Sequence, residues 1–193
     1  ETRGHCILSI GAGSTEVAVL ALGGVVAGES LRLGGDDLDQ AIIAYLVEHF
    51  EIRVGAVTAE QIKIALGSAV PVDGLAPMPV AGQDTRTGMP KEIELSAAHV
   101  RKALQEPLGE LQSALRRVLD AIGAEVAGDL VRSGLVVTGG GALLRGLPER
   151  LEHDLGVPVR LADQADLSVV DGAGRCAENL ASVRRLLLIE PAF

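Results

Sequence analysis

The residues whose types and spacing could do chemistry lie in two glycine loops. Ile7-Leu8-Ser9-Ile10 runs into Gly11-Ala12-Gly13-Ser14-Thr15-Glu16 and leaves through Val17-Ala18-Val19-Leu20. Far downstream, Leu135-Val136-Val137-Thr138 runs into Gly139-Gly140-Gly141-Ala142-Leu143-Leu144. Each is an apolar, β-branched run emptying into glycines, the pattern of a strand that ends where backbone approaches a ligand closely. In the first loop, consecutive amides and the hydroxyls of Ser14 and Thr15 make an anion nest suited to phosphate oxygens. In the second, Gly139, Gly140 and Gly141 offer bare backbone on which a flat ring can lie. Either loop alone also reads as a plain hairpin turn.

A third group stands between them. Glu60 and Lys63 are three apart on one helix face and reach a common point. The bland reading is an exposed ion pair worth a few tenths of a kcal/mol. The order of these parts, with the wording around them, narrows the choice. The blocks Ser9 to Glu16, Gly34-Gly35-Asp36-Asp37-Leu38-Asp39-Gln40-Ala41-Ile42-Ile43, Thr58-Ala59-Glu60-Gln61-Ile62-Lys63-Ile64 and Thr138 to Leu147 resemble the MreB family of bacterial actins. Within the wider actin-like ATPases, the first loop is similar to the second phosphate loop and Thr138–Gly141 to the adenosine loop.

That resemblance implies roles residue by residue. Gly11, Ala12, Gly13, Ser14 and Thr15 would wrap the β- and γ-phosphates of ATP. Glu60 would face the ribose hydroxyls and the stem of Lys63 the base. Gly139, Gly140, Gly141 and Ala142 would carry the adenosine, with Ala142 and Leu143 opening the helix beyond. Three positions depart from the family pattern. Ser9 stands where an aspartate usually helps hold Mg²⁺, and a neutral hydroxyl holds a hard dication poorly. Ala12 replaces a glycine, and Asp171 brings a charge to a segment that usually has none. The first phosphate loop and the groups that orient an attacking water belong to the other half of such proteins. Phosphoryl transfer needs both sides of the γ-phosphate clamped, so no ATPase activity is expected of this chain alone.

The implied fold class is α/β: a ribonuclease-H-like (actin-like ATPase) domain over residues 1–30 and 95–193, with a smaller α/β subdomain inserted at 31–94. The periodicity read directly agrees with that order. Ile7–Ile10, Thr15–Leu20 and Val25–Ala27 read as a meander with turns at Gly11–Gly13 and Gly23-Gly24. After the N-cap signal at Gly34-Gly35-Asp36, Leu38, Ile42, Leu46 and Phe50 recur at helical spacing and leave Asp39, Gln40, Glu48 and His49 outward. A second helix begins at Thr58, and strands fall near Met78–Ala81 and Glu92–Leu95. Val100, Leu104, Leu108, Leu111, Leu115, Val118 and Ile122 keep the helical period for six turns from Ser96, with Pro107 bending or breaking the helix. Gly123 to Gly134 read as a connection. A helix over Leu147–Leu155, a strand over Val157–Leu161 and a last helix with Ala177, Leu180 and Val183 inward complete the chain.

Composition bounds the function classes. At 193 residues with 48% hydrophobic but only 2% aromatic content, the core must be built from Ala, Val, Leu and Ile. Mean hydropathy of +0.32 is consistent with some apolar surface meeting a partner. A net charge of −9 argues against nucleic acid. Cys6 and Cys176 lack metal spacing and fit a reducing compartment, with Cys6 a core residue. The four histidines are scattered and read as surface residues. No run of 18 apolar residues is present, nor a secretory leader, and the chain opens without Met as a fragment or processed form would.

The resemblance implies as partners copies of itself in filaments under the inner membrane, where the family guides cell-wall synthesis, with division or sporulation machinery as further candidates. The expected location is cytoplasmic, without direct membrane contact from this chain. The competing expectation is a degenerate, nucleotide-independent scaffold, favoured by Ser9, Ala12 and Asp171. A sugar-kinase reading has no sugar-binding pattern behind it.

Overall fold

A computed structural model describes residues 3–180. Three antiparallel strands open it: β1 (His5–Ile10), β2 (Thr15–Ala21) and β3 (Gly24–Leu31). The β2–β3 turn is Leu22-Gly23, one residue earlier than its glycines alone indicate, with φ of 55° and 81°. Two consecutive positive φ values give the mirror-image turn whose twist matches the flanking strands. In β1, Cys6, Leu8 and Ile10 are buried in strict alternation. Burial raises the Cys6 thiol pKa to about 12, so it packs as a small hydrophobe.

The chain then forms α1 (Gly35–Phe50), the short β4 (Ile52–Arg53), α2 (Ala56–Leu66), β5 (Met78–Asp84) and β6 (Pro90–Leu95). β4, β5 and β6 pair antiparallel in a sheet of their own. Next come α3 (Ala97–Ala103), α4 (Gln105–Asp120), α5 (Ala124–Ser133) and β7 (Leu135–Thr138). A 3₁₀ turn at Gly140–Leu143 leads to α6 (Leu147–Leu155), β8 (Val159–Leu161) and α7 (Ser168–Glu178). β7 lies parallel to β1 and β8 parallel to β7, giving the order β3-β2-β1-β7-β8. The two glycine loops thus leave adjacent parallel strands at the same sheet end, because β1 and β7 are paired Ser9 to Thr138.

The leucine stripe is real but belongs to two helices. α3 stops at Ala103, four residues before Pro107, and Leu104 marks the break. The proline ring clashes with the carbonyl four residues back, so the first helix ends where that carbonyl lies. Leu108, Leu111, Leu115 and Val118 then face the core from α4, which packs on β2 and β3.

Three expectations are corrected. Gly123 to Gly134 hold a helix, α5, only ten residues long, bounded by glycines and with Gly128 inside it. The last helix begins at Ser168 and runs through the Asp171–Gly174 segment, and Ala177 and Leu180 are exposed rather than inward. Val183 lies outside the described residues. Asp39, expected outward on α1, is only 6% exposed. Its reason lies in the site.

Candidate functional site

The first loop takes its shape from the helix that follows the meander. The Gly11 N–H donates to the Ser14 carbonyl at 2.8 Å, closing a tight turn between β1 and β2. The Gly35 N–H donates to the Gly11 carbonyl at 2.9 Å and the Asp36 N–H to the Ala12 carbonyl at 2.8 Å. The start of α1 is therefore hydrogen-bonded directly onto the loop. Gly34 permits this approach, since a Cβ there would run into the Ala12 carbonyl oxygen. Asp37 accepts the Gly34 N–H at 2.7 Å and fixes the helix entry.

α2 packs beside α1 and carries Lys63. The Lys63 ammonium donates to the Gly35 carbonyl and to Asp39 Oδ2, each at 2.9 Å. Burial pushes the Asp39 carboxyl above the usual carboxylate range; the Lys63 hydrogen bond and charge oppose this, and the neighbouring Glu60 and Asp36 reinforce it. The C-terminal end of α2 is capped from the far side. Arg145 Nη1 donates to the Ala65 carbonyl at 2.9 Å and to the Gly67 carbonyl at 3.3 Å.

The second loop follows β7. Gly139 has φ of 86° and lies against Ile10, with its N–H donating to the Ala165 carbonyl at 2.8 Å. Gly141 is equally close to the Ile10 side chain, whereas Gly140 faces open space. Between the two loops and α2 lies an open cavity of about 440 Å³. Gly11 and Ala12 form one side, Gly35, Asp36 and Leu38 the start of α1, Glu60, Lys63, Ile64 and Gly67 the α2 wall, and Gly140, Gly141 and Leu143 to Arg145 the opposite wall. Its carboxylates, ammonium and bare backbone make a surface able to grip a polar ligand with a flat apolar part.

Over residues 1–185 the sequence matches the MreB/Mbl protein family. The chain belongs to that family. It is 40% identical over 178 residues to the cell shape-determining protein MreB of Escherichia coli (strain K12), covering 92% of this chain and 51% of the relative. To the cell shape-determining protein Mbl of Bacillus subtilis (strain 168) it is 32% identical over 180 residues, covering 93% and 54%. A crystal structure of MreB 5 of Spiroplasma citri bound to AMPPNP superposes with a TM-score of 0.90 at 28% identity, covering 95% of this chain and 55% of that one. The fold is thus the actin-like α/β fold, and the chain spans about half the length of the curated relatives it matches.

For this MreB/Mbl chain the structure brings Gly11, Ala12, Glu60, Lys63, Gly140 and Gly141 to one cavity. It does not bring Gly13, Ser14, Thr15, Gly139 or Ala142 to the wall. Ser14 Oγ donates to Glu16 Oε1 at 2.7 Å, and Thr15 Oγ1 donates to the Leu33 carbonyl at 2.6 Å in a fully buried position. The two hydroxyls expected to face phosphate are engaged inside the chain. Gly139 and Ala142 serve packing: Ala142 is 1% exposed. Asp36, Gly67 and Arg145 are wall residues that sequence reasoning missed. Asp36 sits in the Gly34–Asp36 block already singled out, so a signal existed. Arg145 lies in the Thr138–Leu147 block, but nothing local points to its partners, which are 80 and 78 residues away.

Thr15→Val is accordingly expected to cost about 1–3 kcal/mol, the penalty of stranding the buried Leu33 carbonyl. Thr15→Ser keeps the donor and recovers most of it. Urea titration of the two variants reads the difference, and an unchanged midpoint for Thr15→Val would show that the bond carries nothing.

Proposed function

We propose that this chain is the C-terminal half of a bacterial actin-like filament protein acting in cell shape and cell-wall synthesis, and that it forms one wall of an ATP cleft. The observation that carries the reading is the convergence of the Gly11–Ala12 loop, the Glu60–Lys63 face of α2 and the Gly140–Gly141 loop on one cavity. Three segments widely separated in sequence meet there. The relative from Spiroplasma citri bound to AMPPNP supports an adenine nucleotide as the ligand class.

The residues fit such a ligand. Gly140 leaves open backbone where a Cβ would project into space, suited to a base lying flat. Glu60 offers a carboxylate for ribose hydroxyls and Lys63 an aliphatic stem for the base. Gly11 and Ala12 would hold the phosphates through backbone, without the Ser14 and Thr15 side chains. When bound, ATP would supply a phosphoanhydride bond that this half would grip and orient, the groups that orient an attacking water being expected in the other half. Mg²⁺ is poorly served by this half: beside a nucleotide the ion is held by one or two carboxylates together with phosphate oxygens, and Ser9, a neutral hydroxyl, stands where the resemblance implies an aspartate.

In this reading residues 31–94 form the inserted subdomain and filament copies are the first partner. The location is cytoplasmic, beside the inner face of the membrane through the filament. Among the described residues no helix is long and apolar enough to cross a membrane. A second reading, a nucleotide-independent scaffold, draws on the Thr15–Leu33 bond and on Ser9. Calorimetric titration of the full-length protein with ATP and Mg²⁺ separates the two. Saturable binding below millimolar supports the cleft, and no heat at millimolar ATP supports the scaffold.

A further inference from the structure

Asp39 is the odd group in the site. It lies in the second turn of α1, 6% exposed, and touches no open part of the cavity wall. One carboxylate oxygen, Oδ2, takes the Lys63 ammonium at 2.9 Å, while the other, Oδ1, is buried and accepts no hydrogen bond from any described residue. A pair kept for stability alone is poorly served by this arrangement. Removing two charges from water costs several kcal/mol per ion, and packed apolar residues often do as well. An acceptor left unmatched adds to that cost.

We propose that Asp39 is a positioning residue for the nucleotide wall: it holds Lys63 away from Glu60 and against the start of α1, which in turn fixes the Gly11–Ala12 loop. The inference rests on the nucleotide reading above. Its geometry is a relay. The Lys63 ammonium joins Asp39 to the Gly35 carbonyl, the Gly35 N–H holds the Gly11 carbonyl, and the Asp36 N–H holds the Ala12 carbonyl. The charged groups facing Asp39 are Lys63 and Glu60 from α2 and Asp36 from α1. Glu60 is the natural competitor, since it lies three residues before Lys63 on the same helix face. Without Asp39, Lys63 turns to Glu60, and both side chains are withdrawn from the ligand together.

The test is a cycle of Asp39→Asn, Lys63→Met and the double variant in the full-length protein, with ATP affinity read by calorimetry and folding by thermal midpoint. A residue acting through Lys63 gives a non-additive cycle. Each single variant is expected to lose about tenfold in ATP affinity, and the double no more than either single. Additive losses, or Asp39→Asn binding ATP as the wild type does, would overturn the inference. Should Asp39→Asn fail to fold, Asp39→Glu replaces it, keeping the charge and moving it by one methylene. A three- to tenfold affinity loss, of the order one ordinary hydrogen bond gives, is then expected because the charge is kept, and an unchanged affinity overturns the proposal. Wild-type protein that binds no ATP would remove the nucleotide reading and this inference with it. Wild-type binding with an additive cycle removes this inference alone.

Discussion

Gly139→Ala is expected to destabilise the fold by about 2–5 kcal/mol and lower the melting temperature by roughly 5–15 °C. Two effects act together. The residue has φ of 86°, where a side chain costs about 1–2 kcal/mol in backbone strain. Its Cβ would also run into the Ile10 carbonyl oxygen, and that atom is backbone at the end of β1, the middle strand of the larger sheet. It cannot give way cheaply, because β1 is paired with β2 on one side and β7 on the other. Relief by moving Gly139 instead breaks its N–H bond to the Ala165 carbonyl, the same oxygen that Thr138 Oγ1 uses at 3.0 Å. Differential scanning calorimetry checks the result. A melting temperature within a degree of the wild type would mean that the β7 turn is not braced against β1.

Much of this architecture is legible along the chain because it is periodic. Alternation in β1 and the leucine spacing of α4 each record a face turned to the core. What escaped is of another kind. The burial of Asp39 depends on a lysine 24 residues away, and Arg145 on carbonyls about 80 away. No local pattern encodes either. The internal hydrogen bond of Thr15 escaped for a related reason. A hydroxyl beside glycines looks free until β3 returns and sets the Leu33 carbonyl above it. α5 was missed because a ten-residue segment with Gly123 and Gly134 at its ends and Gly128 inside it reads as a connection. The glycine loops were seen as one kind of feature and are two. Gly139 and Gly141 are small so that β1 can pass, and Gly140 is small toward the cavity.

That division makes the second prediction the counterpart of the first. Gly140→Leu is expected to leave the fold within about 1 kcal/mol of the wild type while weakening ATP binding at least tenfold, about 1.4 kcal/mol or more. The backbone at Gly140 needs no positive φ, and a Cβ there meets nothing within 4 Å. Losing a glycine also restricts the unfolded chain, which offsets part of the cost of an exposed leucine. The side chain itself projects into the cavity and occupies space that a base would take. Gly140→Ala, adding one methyl, should fall between wild type and leucine in affinity. Thermal melts and ATP titrations on the full-length protein read both quantities. If Gly140→Leu binds ATP as tightly as the wild type, the cavity between the two glycine loops is not where the nucleotide lies. If it melts far below the wild type, Gly140 is a packing glycine like Gly139, and the distinction between the two positions fails.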